Sequence, residues 1–375
     1  MTEWKIYKIG DIIDEIAMGP FGSNIKVDNF IDFGVPVLNG ANLQGFKLKE
    51  ESFNYVSSQK ADSLGKANAY RGDIVITHRG TLGQIVYIPN DSKFDRYIIS
   101  QSQFRVRLNS QYVLPEYFVY YFHTRIGQHK MLMNASQVGV PALARPTSTF
   151  KEITIELPPL EEQRRIAGIL GAIDDKIENN CRINTNLELQ AQALYKQWFV
   201  DNRSDDWEEK KLSDFFNVVT GKKDANFSTK DGVYPFFTCS QDVLNAPDYS
   251  FEGAAILLAG NGDFNVKRYI GKFEAYQRTY VLIPFDRKYH SFLYLTIKYY
   301  LQEITGGSRG SVIKFITKGN IADFEIAMPR ENIDDKLAVL DSIYQSIDGN
   351  AAENNNLATL RDTLLPKLMN GEIKL

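Results

Sequence analysis

After Pro158-Pro159 the chain runs to Val200 without another proline, and its seam positions fall at alternating intervals of four and three: Ile166, Leu170, Ile173, Ile177, Asn180, Asn184, Leu187, Ala191, Leu194, Trp198. This heptad spacing predicts one long helix over Leu157–Val200 that buries a narrow stripe against a second helix. At about 1.5 Å per residue it would be roughly 60 Å long. Moving each position on by 170 residues gives Lys336, Leu340, Ile343, Ile347, Asn350, Asn354, Leu357, Arg361, Leu364 and Leu368. Pro159 likewise returns as Pro329, and Asn186-Leu187 as Asn356-Leu357. The second stretch is thus the expected partner. Antiparallel packing would set Asn180 and Asn184 against Asn350 and Asn354, a polar layer that fixes register at a cost in stability.

The segments before each helix have a shorter period. In residues 1–157 the β-branched runs Val35–Leu38, Gly72–Thr77 and Gly83–Ile88 predict strands, as does Ile98–Leu108, and Leu114–Phe122 predicts a helix with proline in its first turn. Residues 204–329 repeat the plan. Trp207, Lys211, Leu212 and Asp214 keep the spacing of Trp4, Lys8, Ile9 and Asp11. Ala254–Ala259 stands for Asp73–Thr77, Ala275–Arg278 for Ile99–Ser102, and Phe292–Leu301 for Tyr117–Phe122. Loops at Gln137–Pro146 and Thr305–Lys314 lead to the final strands. The expected fold class is α+β: two globular α/β domains, 1–157 and 204–329, separated by two long antiparallel coiled-coil helices, 158–203 and 330–375, as an internal pseudo-twofold repeat.

Composition narrows the function. With 43% hydrophobic residues this is a core-burying protein. No apolar run reaches membrane-spanning length and the N-terminus lacks an apolar leader block, so no membrane partner and a cytoplasmic location are expected. Two cysteines and four histidines without ligand spacing suggest neither a disulfide framework nor a metal. A net charge of −3 argues against a generic polycation. The globular parts are near neutral and the helices mildly acidic, so any DNA contact must be locally clustered or shared with a partner.

Active-site patterns are missing. Gly306–Ser311 lacks the lysine of a phosphate loop, Gly260-Asn261-Gly262 lacks the third glycine of a dinucleotide fingerprint, and no Ser/His/Asp order stands out. Asp174-Asp175 is expected on the solvated exterior of the helix. The glycine-bearing loops do carry side chains able to meet base edges, arginine or lysine on guanine and amides on adenine. In the first domain these are Lys26, Asn39, Asn42, His78, Arg79, Gln101, Gln103 and Arg145. In the second they are Lys222, Lys223, Asn261, Lys267, Arg268, Gln277, Arg278, Arg309 and Lys314.

Leu157-Pro158-Pro159-Leu160-Glu161-Glu162-Gln163-Arg164-Arg165-Ile166, Asp175-Lys176-Ile177 and the terminal Leu364–Ile373 run give the whole chain a resemblance to the specificity subunits of type I restriction-modification systems. The second copy departs from the motif at Met328–Ile333, so its helix is expected to start differently. The resemblance implies two target recognition domains, each reading one half of a bipartite double-stranded DNA site, on helices that set the spacer and dock two modification methyltransferase subunits. It also implies restriction/translocase partners. S-adenosylmethionine, ATP and Mg would sit on those partners, with no cofactor and no catalysis on this chain. A two-domain coiled-coil adaptor that grips protein, and an enzyme in its own right such as a nuclease, remain the alternatives.

Overall fold

The computed structural model describes residues 4–136, 139–306 and 315–373. The chain forms two compact units, Met1–Ile177 with Asn355–Leu375, and Glu178–Asn354. The architecture is two-domain α/β with long helices.

In the first unit, Lys5–Lys8 pairs antiparallel with Thr154–Leu157, closing the globular part just before the central helix. A four-stranded antiparallel sheet runs in the order Ile13–Met18, Gln103–Leu108, Ile74–Thr77, Ile85–Tyr87. A second, five-stranded sheet contains Val35–Val37 and Arg96–Ile98. The single strand expected over Ile98–Leu108 is broken in two: Gln103 N–H donates to Ser100 O in a tight turn, and the polar stretch Ser100–Gln103 makes that turn. Pro115–His123 is helical and buries every residue from Tyr117 to Phe122, as a helix enclosed on all sides must. Phe118, Phe122, Phe104 and Phe150 pack edge-on or tilted around it, 4.8–6.2 Å between centroids. Ile166, Leu170, Leu365 and Leu368 of the long helices join the same core.

In the second unit Glu208–Lys211 pairs with Glu325–Met328, again just ahead of a long helix. Its sheet runs Phe216–Thr220, Thr279–Pro284, Phe251–Ala259, Val266–Ala275, and continues with Tyr234–Phe237 and Val243–Ala246. Taken in chain order, the first four strands of each of these sheets have the same arrangement: first, fourth, second, third. The helix expected over Phe292–Leu301 is His290–Tyr299, followed by a separate short helix at Leu301–Gly306.

The central helix spans Leu160–Lys196 and widens into a π-type turn at Gln197–Asp201, so its helical geometry begins three residues after Leu157. The C-terminal helix spans Asp334–Met369 and ends at Gly371, whose φ of +69° suits a glycine terminus. Every seam position named above is buried or half-buried in both helices. In the second unit Asn180 Nδ2 donates to Asn354 Oδ1 at 2.9 Å, and Asn350 Nδ2 to Asn184 Oδ1 at 2.8 Å.

The departure of the second motif has a structural consequence. Gln163 is fully buried; its Oε1 accepts from Leu114 N–H, and its Nε2 donates to Tyr112 O and Pro158 O. The amide thus staples the start of the central helix to the backbone of the first unit. At the matching position of the second unit stands Ile333, buried in the apolar core, and the helix starts at Asp334, whose N–H is capped by Asn332 Oδ1 at 2.7 Å. A polar latch in one unit is an apolar plug in the other.

Asp174 is also not where the helical pattern suggested. Its side chain is only 12% exposed, held by Arg361 and Tyr120, whereas Asp175 is exposed and pairs with Lys47.

Candidate nucleic-acid interface

In the first unit four backbone segments meet at one end of the four-stranded sheet. Gly19 N–H donates to Gln103 O, His78 N–H to Ser102 O, and Gly80 N–H to Pro141 O, each at 2.8 Å. Gly19 is required there: a Cβ would lie 1.9 Å from Ser100 O. His78, Arg79 and Gln101 are therefore brought together, Arg79 bridging to Ala142 and His78 Nε2 lying 3.1 Å from Gln101 O. Burial pushes the His78 ring below the usual histidine range, which favours its neutral form. Arg145, two residues past Leu143, is exposed with a left-handed backbone (φ +47°).

Other first-unit candidates are placed differently. Gln103 is buried, its Oε1 accepting from Ser100 N–H, so its amide builds the turn that presents Gln101. Asn42 is buried and donates to Lys49 O and Glu51 O, while Asn39 caps the turn Gly40–Leu43. Lys26 is outside this group of hydrogen-bonded segments, in a polar recess it shares with Lys60. Arg105 and Arg107, mid-strand, are committed to the fully buried Asp73, and Arg105 also to Glu15, whose carboxyl it holds below the usual range.

The second unit gathers the corresponding segments. Gly221 N–H donates to Thr279 O at 2.9 Å, Gln277 N–H to Lys223 O at 2.9 Å, Gly260 N–H to Arg278 O at 2.8 Å, and Ile316 N–H to Gly260 O at 3.1 Å. Gly221 repeats the close approach of Gly19, a Cβ there falling 2.2 Å from Tyr276 O. Lys222, Lys223, Asn261, Gln277 and Arg278 thus surround one end of the sheet, with a cavity of about 440 Å³ between Thr220, Asn261, Gln277, Arg278, Tyr280 and Phe315. Gln277 is exposed, and its Nε2 donates to Asp224 Oδ1 at 2.7 Å. Lys267 is tied to Ser240 O and Asn265, and burial lowers its pKa. Arg268 leaves the group altogether: it forms a bidentate pair with Asp348 at 2.7 and 3.0 Å, over the Tyr344 ring. Arg309 and Lys314, like the glycine-rich Gly307–Ser311 run, lie outside the described residues.

Lys60 was not legible as a candidate, because its segment is an ordinary polar helix in sequence and only the fold brings it beside Lys26. Among the described residues no group of three or more His, Cys, Asp or Glu side chains could hold a metal ion, and no helix is long and apolar enough to cross a membrane.

Each α/β unit thus gathers exposed amide and basic side chains at one end of its sheet. The family model of the type I restriction modification DNA specificity domain matches residues 1–189 and 204–359, and the chain belongs to that family. The EcoDI specificity subunit of Escherichia coli is 39% identical over 173 residues, a match covering 45% of this chain and only 39% of that protein. The MjaIX specificity subunit of Methanocaldococcus jannaschii is 24% identical, with 99% of this chain and 94% of that protein covered. The HindI specificity subunit of Haemophilus influenzae is also 24% identical, with both chains covered in full. In fold, the chain is similar to the crystal structure of a type I S subunit from M. genitalium: TM-score 0.63, 17% identity, covering 98% of this chain and 96% of that one.

Proposed function

We propose that each unit reads one half of a bipartite, asymmetric duplex site, and that the long helices form an antiparallel coiled-coil pair whose length sets the spacer. One observation carries this reading. In both units four corresponding segments converge at one end of a sheet in which four corresponding strands share one order, and each presents an exposed glutamine on a tight turn, Gln101 or Gln277. Exposed amide and guanidinium groups are the chemistry of base-edge readout. The recurrence, down to Gly19 and Gly221, also supports an internal pseudo-twofold repeat. The pairs Asn180–Asn354 and Asn184–Asn350 support a polar register layer between the helices.

In this reading the chain contributes no catalysis. Two methyltransferase subunits dock on it and carry S-adenosylmethionine, and restriction/translocase subunits bring ATP and Mg. Much of the phosphate grip then comes from those subunits, consistent with a net charge of −3. The test is to map methylated adenines in DNA modified by the reconstituted complex. A split site with two fixed halves and a constant spacer is expected. Methylation without a bipartite sequence, or binding that ignores both sequence and salt, would return the chain to the adaptor reading.

A further inference from the structure

The recess in the first unit between Asn24, Lys26, Asn29, Lys60 and Ser63 is unlike the reading loops. Its volume is about 450 Å³, and no carboxylate lines it. Neither Lys26 nor Lys60 is paired with a carboxylate among the described residues. Asn29 uses its Oδ1 to accept Lys26 N–H at 3.0 Å, and Ser63 Oγ donates to Lys60 O at 2.6 Å, so local bonds order the walls. Two lysines lining one polar hollow without a carboxylate make a site for an anion.

Its location identifies the anion. Gly22 abuts the Gln101 side chain so closely that a Cβ would fall 2.2 Å from Gln101 Oε1. Asn24, on the recess wall, is two residues further, at most about 7 Å along the chain. The major groove is about 12 Å wide between the backbones that border it. A recess that begins some 7 Å from a turn entering the groove therefore lies at the height of a bordering backbone phosphate. Resting on the proposed reading of DNA by this unit, we infer that Lys26 and Lys60 together hold a DNA backbone phosphodiester next to the half-site. The contact positions the duplex without reading its sequence.

The test uses the full chain with its methyltransferase subunits, carrying Lys26→Gln/Lys60→Gln, on a duplex with the mapped site and on a scrambled duplex. Losing one phosphate contact should flatten the slope of log K against log salt by about 0.9 and weaken both duplexes by roughly fivefold at 0.15 M salt. The ratio between the two duplexes stays unchanged, and Lys26→Arg/Lys60→Arg restores binding. An unchanged slope with affinity within twofold overturns the inference, as does a collapse of the ratio, which would make these lysines base readers. Inorganic phosphate at matched ionic strength is the second arm. If it binds the parent chain and not the glutamine variant while the DNA slope is unmoved, the recess serves free phosphate instead. If the parent complex prefers no split site at all, it is the proposed function that fails, and this assignment with it.

Discussion

Arg361 of the C-terminal helix donates to Asp174 of the central helix at 2.8 Å, and Asp174 also accepts the Tyr120 phenol at 2.5 Å. The guanidinium lies over the Phe46 ring, 4.9 Å from its centroid, and the two charged side chains are only 18% and 12% exposed. Within the first unit, a charged pair thus joins both long helices to the globular core. Removing Asp174 leaves the poorly hydrated Arg361 guanidinium with Asp362 as its remaining carboxylate, so Asp174→Leu should cost about 3 kcal/mol, the lower end for breaking a buried pair. The double change Asp174→Leu/Arg361→Met should cost much less than the sum of the single changes. Urea unfolding of the parent, Asp174→Leu, Arg361→Met and the double variant measures the coupling, and additive costs would mean that the pair is not a unit.

Gln163 and Ile333 occupy matching positions with opposite chemistry. Gln163→Ile leaves Leu114 N–H, Tyr112 O and Pro158 O without their side-chain partner, at a cost of roughly 3 kcal/mol. Ile333→Gln buries an amide among Leu337, Leu340 and their apolar neighbours, where no latch awaits it. Both should lower the denaturation midpoint. A neutral Gln163→Ile would mean that the latch contributes nothing to holding the helix.

These contrasts mark what can be read along the chain. Burial along the long helices is legible because spacing alone orients Ile166, Leu170, Leu340 and Leu368, all of them buried, and no tertiary detail is needed to see it. Side chains with two uses are not. Asn42, Gln103 and Gln277 carry the same amide, yet Asn42 and Gln103 turn inward to satisfy backbone groups that only the folded turn creates. Arg268 and Arg278 are equally basic in sequence, and it is Asp348, eighty residues away, that removes Arg268 from the loop cluster. Asp174 departs from the solvated position its spacing implies for the same reason, since its partners are distant in the chain. The Lys26–Lys60 recess has no periodic signature at all.

Burial pushes His123 and His290 below the usual histidine range, although Ile85 O and Ala255 O each lie within hydrogen-bond reach of the ring. The unfolded chain titrates these groups near pH ~6.5, while the folded chain keeps them neutral. As pH falls below that value, the unfolded state takes up protons that the native state refuses. Stability is therefore fully present above about pH 6.5 and is lost toward the lower, folded pKa, with a ceiling of about 1.4 kcal/mol per pH unit for each histidine. Urea midpoints between pH 7.5 and 5.5 check the slope. The His123→Phe/His290→Phe variant should show a shallower one, and an equal slope would trace the loss to other groups.

Gly19 and Gly221 make the two reading ends separately addressable. A methyl group at Gly19 collides with Ser100 O, displacing the turn that carries Gln101, and one at Gly221 collides with Tyr276 O beside Gln277. Gly19→Ala should relax recognition of one half-site and leave the other intact, and Gly221→Ala should do the reverse. Sequencing methylated adenines from each variant complex decides. Loss of both halves from one substitution would show that the ends are not independent readers.

The asparagine pairs offer a register-preserving place to lengthen the helices. Asn180 meets Asn354 and Asn184 meets Asn350, so position numbers rise along one helix as they fall along the other. Repeating residues 178–184 directly after Asn184, and residues 350–356 directly before Asn350, keeps every original pair and adds a second asparagine layer. Seven residues are nearly two turns, so the same faces stay inward, and the helices grow by about 10.5 Å. If the pair sets the spacer, the mapped site should gain roughly three base pairs between unchanged halves, given about 3.4 Å per step. The same seven residues added to the central helix alone should break the pairing and abolish modification of both halves. An unaltered spacer in the matched variant, with both halves still read, would remove the helices from any role in measuring it.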